Sequence, residues 1–361
     1  MSLFDKLNAI REHDAARYFY TRIAPDHVDT PYQAGAAEAG RHYYQLWLRE
    51  MYLKNDRTWF STWYPAVHSL VSHKYGSQSL ELPHVAGSLN LQGVNEKTLN
   101  QSVRLSYPLT PLLPFHGGTV TIEAGLLAMQ GDNYLNCALK VVGDFSSLLT
   151  LPQISLALDV AQKVAQGVSD LLDVSDGKMH LGFRQTFVGK GRSGGDELSS
   201  GYLAVILAPQ DQIEQAQLGI KERRLRIGTS LAVSRPYTEY TYMLFYIECL
   251  EERDDWDALS RIQEPFKRAI EALGNGDEED AESFLRTAIT AIRLSPDLTK
   301  ADRTRVTLAL KDAYKEAKDA VLGVTATRST SLKEVISSFA MSVEQALQER
   351  EPTFSEVFAD L

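Results

Sequence analysis

The chain of 361 residues carries a formal net charge of −10, with 44% hydrophobic, 23% charged and 9% aromatic residues. That apolar content offsets the ordering entropy of folding and excludes an intrinsically disordered chain. The negative balance argues against a general polyanion binder, because such proteins neutralise phosphates with a basic surface. Nucleic acid is therefore not an expected partner, although a local basic patch is compatible with the total.

At the N-terminus, Ser2 and Asp5 have capping spacing, and Leu3, Leu7 and Ile10 share one helical face. Charges interrupt every apolar run there and no cleavage pattern follows, so no signal peptide is expected. No stretch reaches the roughly 18 apolar residues of a membrane span. Cys137 and Cys249 are isolated in sequence, which excludes a disulfide framework and predicts reduced thiols in a cytoplasmic protein.

From Arg41 the pattern turns to β. "HYYQLWLREMYL" runs to the turn "KNDR" and "TWFSTWY" returns, which predicts a hairpin between them. "QSVRLSYPL" and "GTVTIEAGLLAM" read as further strands, while "YLNCALKVV" fits either a strand or a helix. Ile154, Leu158, Ala161, Ala165, Val168 and Leu172 then recur at steps of three and four. This predicts an amphipathic helix over 151–174, with Thr150 as its cap. In "KMHLGFRQTFV", strand alternation puts Met179, Leu181, Phe183 and Phe187 on one face. "GYLAVILA" is apolar throughout and predicts a central strand covered on both sides. "RLRIGTSLAV" and "TEYTYMLFYIECL" complete the β region.

Past Glu251 the texture is helical, with helices expected near 255–273, 277–294, 299–322 and 331–349. Pro265 is expected to kink or split the first. Thr299 with Asp302 and Ser331 with Glu334 have the spacing of capping pairs. Gly274 and Gly323 are expected stops. "GDEEDAESFLRTAITAIRLSPD" resembles the end of a tetratricopeptide-type helix pair, but no second copy follows at a period of about 34. The expected fold class is α+β. A mainly antiparallel sheet or sandwich domain over 1–251, with one inserted amphipathic helix, precedes a helical domain over 252–361.

"FVGKGRSGGDE" contains the G-x-G-x-x-G spacing at Gly189, Gly191 and Gly194. A dinucleotide site needs a helix starting within the motif, whereas strand-forming residues follow it here, so the stretch is read as a strand-to-strand loop. Lys190 and Arg192 in that loop, with Arg224 and Arg226 of "IKERRLRIG", are the candidate anion-binding residues. Strand alternation puts Leu225 and Ile227 inward and Arg224 and Arg226 toward water.

The eight histidines all lie in the first half. No H-E-x-x-H occurs and His68 and His73 are poorly spaced for a metal, so they are read as scattered surface residues. No G-x-S-x-G elbow is present, and no catalytic residue or cofactor is assigned. In the tail "EREPTFSEVFADL", Phe354, Val357, Phe358 and Leu361 fall on one helical face, the candidate surface for a protein partner or self-association. These features favour a non-catalytic assembly or adaptor protein. The competing expectation is an enzyme or small-ligand sensor whose site is assembled from distant residues.

Overall fold

The computed structural model describes residues 18–32, 35–54, 57–58, 61–62, 64–75, 78–87, 103–129 and 178–326. The expected N-terminal helix, the 134–142 segment, the 151–174 helix, the 331–349 helix and the tail lie outside the described residues. The chain divides into two compact units, Met1–Asp254 with Pro296–Asp302, and Asp255–Ser295 with Arg303–Leu361.

The first unit is built from sheets that are antiparallel at nearly every contact. Six strands form the largest: β1 (Phe19–Arg22), β2 (Tyr43–Tyr52), β7 (Val103–Pro108), β8 (Leu113–Pro114), β12 (Gly201–Ile206) and β16 (Tyr242–Leu250). Their order is β1-β12-β16-β2-β7, with β8 also pairing β2. The second sheet has the order β11-β10-β9-β5-β6, from β5 (Tyr64–Tyr75), β6 (Gln78–Gly87), β9 (Thr119–Met129), β10 (Lys178–Val188) and β11 (Asp196–Glu197). A third is formed by β13 (Leu218–Lys221), β14 (Arg224–Ile227) and β15 (Arg235–Pro236), and β3 (Arg57–Thr58) pairs β4 (Ser61–Thr62).

The apolar run of β12 lies between β1 and β16 with all six residues buried. Its alternate side chains go to two different cores. Leu203 and Val205 join one cluster with Leu46, Leu48, Phe245 and residues of the second sheet such as Val71, Ile122 and Phe183. Tyr202, Ala204 and Ile206 join another with Tyr242, Leu244 and residues of the third sheet such as Ile220 and Leu225. Both faces of this sheet are thus apolar, the condition that produces unbroken apolar strands. In β10, Leu181, Phe183 and Phe187 are buried as the alternation requires, and a register shift follows Met179.

The hairpin expected from 41 to 64 is not how β2 pairs. Its neighbours are β16 and β7, while the returning chain enters β5 and pairs with β6 and β9. Both edges of β2 are taken by strands distant in sequence, because burying the strand on both faces outweighs the proximity of a local partner. The histidines also differ from expectation. His68, His73 and His84 are 0%, 4% and 0% exposed, and so belong to the interior rather than the surface.

Within the first unit, Tyr43 Oη donates to Asp302 Oδ2 at 2.8 Å and accepts from the Thr299 amide at 3.0 Å. The Arg253 amide reaches the same carboxylate oxygen at 3.2 Å. Thr299 Oγ1 accepts from the Asp302 amide at 3.2 Å, so the expected capping pair forms.

The second unit contains three helices, α1 (Ser260–Gly274), α2 (Glu278–Leu294) and most of α3 (Asp302–Ala326). Asp277 caps α2, its side chain accepting from the Asp280 amide, and Glu278, Glu279 and Asp280 complement the helix dipole. Ala269, Ala272, Leu273, Ala281, Tyr314 and Ala317 form the shared core. Two expectations are corrected here. The break falls at Leu259, between a 3-10 segment over Asp254–Ala258 and α1, which continues through Pro265. The stripe of Ile262, Ala269 and Ala272 holds α1 together although proline removes one donor. Helix α3 likewise passes Gly323 and continues to Ala326, the last described residue, since an interior glycine costs only about 1 kcal/mol.

Candidate functional site: a caged arginine on an aromatic row

Strand β2 contains a chemical oddity at its centre. Its inward residues Tyr44, Leu46 and Leu48 alternate, and the next residue in the same core is Met51, not residue 50. The alternation slips by one because Arg49 is the extra residue of a β-bulge. Phe245 pairs Leu48 and Leu244 pairs Glu50 on one side, while Tyr107 pairs Leu48 and Arg104 pairs Glu50 on the other. Arg49 is skipped in both ladders: toward β16 it is the extra residue of the bulge, while toward β7 the extra residue lies on β7, whose Leu105 and Ser106 are also unpaired in that ladder.

Beside the bulge, Tyr202 pairs Tyr246 and Tyr246 pairs Trp47, a row of three aromatic residues across β12, β16 and β2. Tyr202 and Tyr246 have ring centroids 4.7 Å apart. Tyr32 meets both edge-on, at 6.3 and 6.0 Å. The guanidinium carbon of Arg49 lies 4.4 Å from the Trp47 ring centroid and 5.1 Å from that of Tyr246. Each such contact contributes about 0.5–2 kcal/mol when desolvated.

Arg49 is only 9% exposed, and its Nε has no hydrogen-bond partner. Among the described residues no carboxylate pairs with it. The nearby Glu248 carboxylate instead accepts from Trp47 Nε1 at 3.0 Å. Burial draws the Arg49 pKa below its ordinary value, with neighbouring phenols and Glu248 opposing that and Arg223 adding to it. Removing a cation from water costs several kcal/mol, which two aromatic faces only partly restore.

The adjoining hairpin β13–β14 pairs Lys221 with Arg224 and turns through Glu222 and Arg223. These two residues have φ of 54° and 60°, a mirror-type turn that ordinarily takes Asn-Gly. The Glu222 amide donates to Asp29 Oδ2 at 2.7 Å, which holds the turn. The strained turn keeps the exposed Arg223 within electrostatic reach of both Arg49 and Tyr202.

The phenols at this site and the thiol behind it are held in their neutral forms. Burial, then the Glu248 charge, pushes the Tyr246 phenol up to about 12. Burial also raises Tyr202. On the opposite face of β16 the Cys249 thiol is pushed up to about 12, chiefly by burial, and remains a thiol at neutral pH. Among the described residues no group of three or more His, Cys, Asp or Glu is placed to hold a metal ion.

Of the four cations singled out in the sequence, Lys190, Arg224 and Arg226 have separate side-chain partners. Lys190 Nζ is 2.7 Å from Glu38 Oε1, a contact that holds the Glu38 carboxyl below its usual range. Arg192 is exposed, its amide closing the turn onto the Gly189 carbonyl. The Gly-rich stretch is the strand-to-strand connection from β10 to β11, with Gly191 and Gly194 at φ of 68° and 108°. The Gly191 amide donates to Glu197 Oε1 at 3.0 Å, so the chain's own carboxylate occupies that backbone donor. Arg226 Nη2 donates to the Ser234 carbonyl.

Arg224 does not simply face water as alternation predicts. Its Nε is 2.9 Å from Oε1 of Glu50, which is 0% exposed and also accepts from the Leu225 amide at 2.8 Å. A buried carboxylate needs both donors, and that need orients Arg224. Phe354, Val357, Phe358 and Leu361 lie outside the described residues. Arg49 was missed in the sequence; its signal is the skipped alternation from Leu48 to Met51 around an Arg-Glu pair.

No protein-family model, curated protein or solved structure matches the chain. No helix among the described residues is long and apolar enough to cross a membrane.

Proposed function

We propose that the chain is a non-catalytic assembly or adaptor protein that acts through protein–protein contacts. The observation that carries this reading is the composition of the Arg49 site. Trp, Tyr and Arg dominate binding hot spots, because they combine a large apolar area with a directed polar group. Trp47, Tyr32 and Tyr246 are all partly exposed around the buried guanidinium. The protonated thiol of Cys249 also supports binding over nucleophilic chemistry.

In this reading the two larger sheets form a sandwich domain with one inserted amphipathic helix. The Phe354, Val357, Phe358 and Leu361 surface of the tail serves as a second contact, to a partner or another copy. A small-ligand sensor is the alternative, favoured by the single guanidinium, which suits one compact anion.

Trp47→Ala with Tyr246→Ala tests the main reading. Proximity labelling from the native chain should recover a defined set of proteins, and the double variant should lose that set while keeping its far-UV spectrum. An unchanged set would remove this site from the function.

A further inference from the structure

A planar guanidinium with an aromatic ring against it keeps its edge for hydrogen bonding, since its N–H donors all lie in the plane. Arg49 has rings at 4.4 and 5.1 Å and is 9% exposed; among the described residues its buried Nε has no acceptor, and an incoming group would meet the terminal Nη edge. Glu50, the next residue, has both a guanidinium and an amide on its carboxylate. The same strand therefore matches one buried charge fully and leaves its neighbour unmatched. A bulge skipped in both ladders is what aims that neighbour at the aromatic row.

We propose that Arg49 receives a single carboxylate from an acidic side chain of a protein partner, with an apolar neighbour of that side chain laid against Tyr32. This rests on the binding reading above and names the group recognised. The fork geometry of a guanidinium matches a planar carboxylate in two parallel hydrogen bonds. Arg223 on its hairpin tip supplies a second positive charge for attraction and encounter. Glu248 stands in the same patch, held on Trp47, and penalises a dianion such as a phosphate ester more than a monoanion. The net charge of −10 repels a polyacidic segment, so the fit is to one carboxylate set among apolar residues.

The test uses the full chain labelled with 15N-arginine, with the Arg49 Nε–H resonance assigned through Arg49→Lys. The probes are the capped peptides Ac-Phe-Glu-Phe-NH2, Ac-Phe-Gln-Phe-NH2 and Ac-Phe-phosphoSer-Phe-NH2, titrated to about 5 mM, a range that reaches dissociation constants near 1 mM. The Glu peptide should move the Arg49 resonance saturably, and the Gln peptide should bind at least about tenfold more weakly. Arg49→Lys keeps the charge and loses the fork, and it should weaken the Glu peptide by a similar factor, followed at Trp47, with an unchanged melting temperature. Preference for the phosphoserine peptide would overturn the carboxylate assignment. Equal binding of the Glu and Gln peptides at Trp47 would overturn it too, while leaving the interaction face standing. If no peptide moves either Arg49 or Trp47, both readings fall.

Discussion

Arg49 and Glu50 are consecutive residues of β2, and the fold treats their charges in opposite ways. Glu50 is completely buried and fully matched by Arg224 and the Leu225 amide. Arg49 is nearly as buried and, among the described residues, has two ring faces against it and no paired carboxylate. A matched buried charge is part of the fold, because removing either partner strands the other in a medium that cannot solvate it. An unmatched one is a standing cost that a contact from outside can relieve. The same division separates Tyr43, whose hydroxyl joins Asp302 and Thr299, from His68, whose two ring nitrogens have no hydrogen-bond partner among the described residues.

Four measurements sharpen or break this division. The largest effect is expected from Glu50→Ala, which strips Arg224 and the Leu225 amide of their acceptor. Equilibrium denaturation should record a loss of about 3 kcal/mol. A loss below about 1 kcal/mol would mean that water replaces the carboxylate and that the match is not structural.

Tyr43→Phe comes next. It keeps the ring and removes one hydroxyl that both donates and accepts, leaving Asp302 and the Thr299 amide short of a partner. A loss of about 2 kcal/mol is expected, while the same change at Tyr44, whose hydroxyl has no partner among the described residues, should cost nothing. Equal losses at the two positions would collapse the distinction between matched and unmatched groups.

For His68, burial pushes the pKa down to about 3. The folded value lies below the unfolded value of about 6.5, so the unfolded chain takes up the proton first as pH falls. The contribution of neutral His68 is complete above the unfolded pKa and is lost progressively between about 6.5 and 3. Across that window His68 alone should give a slope of about 1.4 kcal/mol per pH unit. Denaturation of His68→Leu between about pH 5.5 and 4 should show a slope shallower by that amount; identical slopes would place a counter-charge at His68.

The smallest effect carries the opposite sign. Arg49→Met replaces an unmatched cation with a flexible apolar chain between Trp47 and Tyr246, and stability should rise by about 1 kcal/mol. A clear loss would show that the two rings alone compensate the charge, and Arg49 would then be a packing residue.

Several features were legible in the residues alone because they depend on near neighbours. The apolar run of β12, the alternation of β10 and the 277–294 helix follow from side-chain periodicity, which local geometry converts directly into buried faces. The Thr299–Asp302 cap spans three residues and is equally local. The interruption of Leu48 and Met51 was present in the sequence as well, but a skipped alternation reads as noise until the partner strands show which residue both ladders omit.

What the sequence by itself determined, among the described residues, is strands β2, β7, β9, β10, β12, β14 and β16, helices α1 to α3 and the mainly antiparallel character of the sheets, since these arise from steric and hydrophobic preferences acting over a few residues. Only the tertiary structure decided which strands meet. Pairing β2 with β16 and β7 brings Trp47, Arg49, Tyr202 and Tyr246 together from positions up to about two hundred residues apart, a choice set by burial of whole sheet faces. The same packing sent Arg224 to Glu50 and left Arg49 with no paired carboxylate among the described residues, because the cost of a buried ion depends on everything around it and not on its neighbours along the chain.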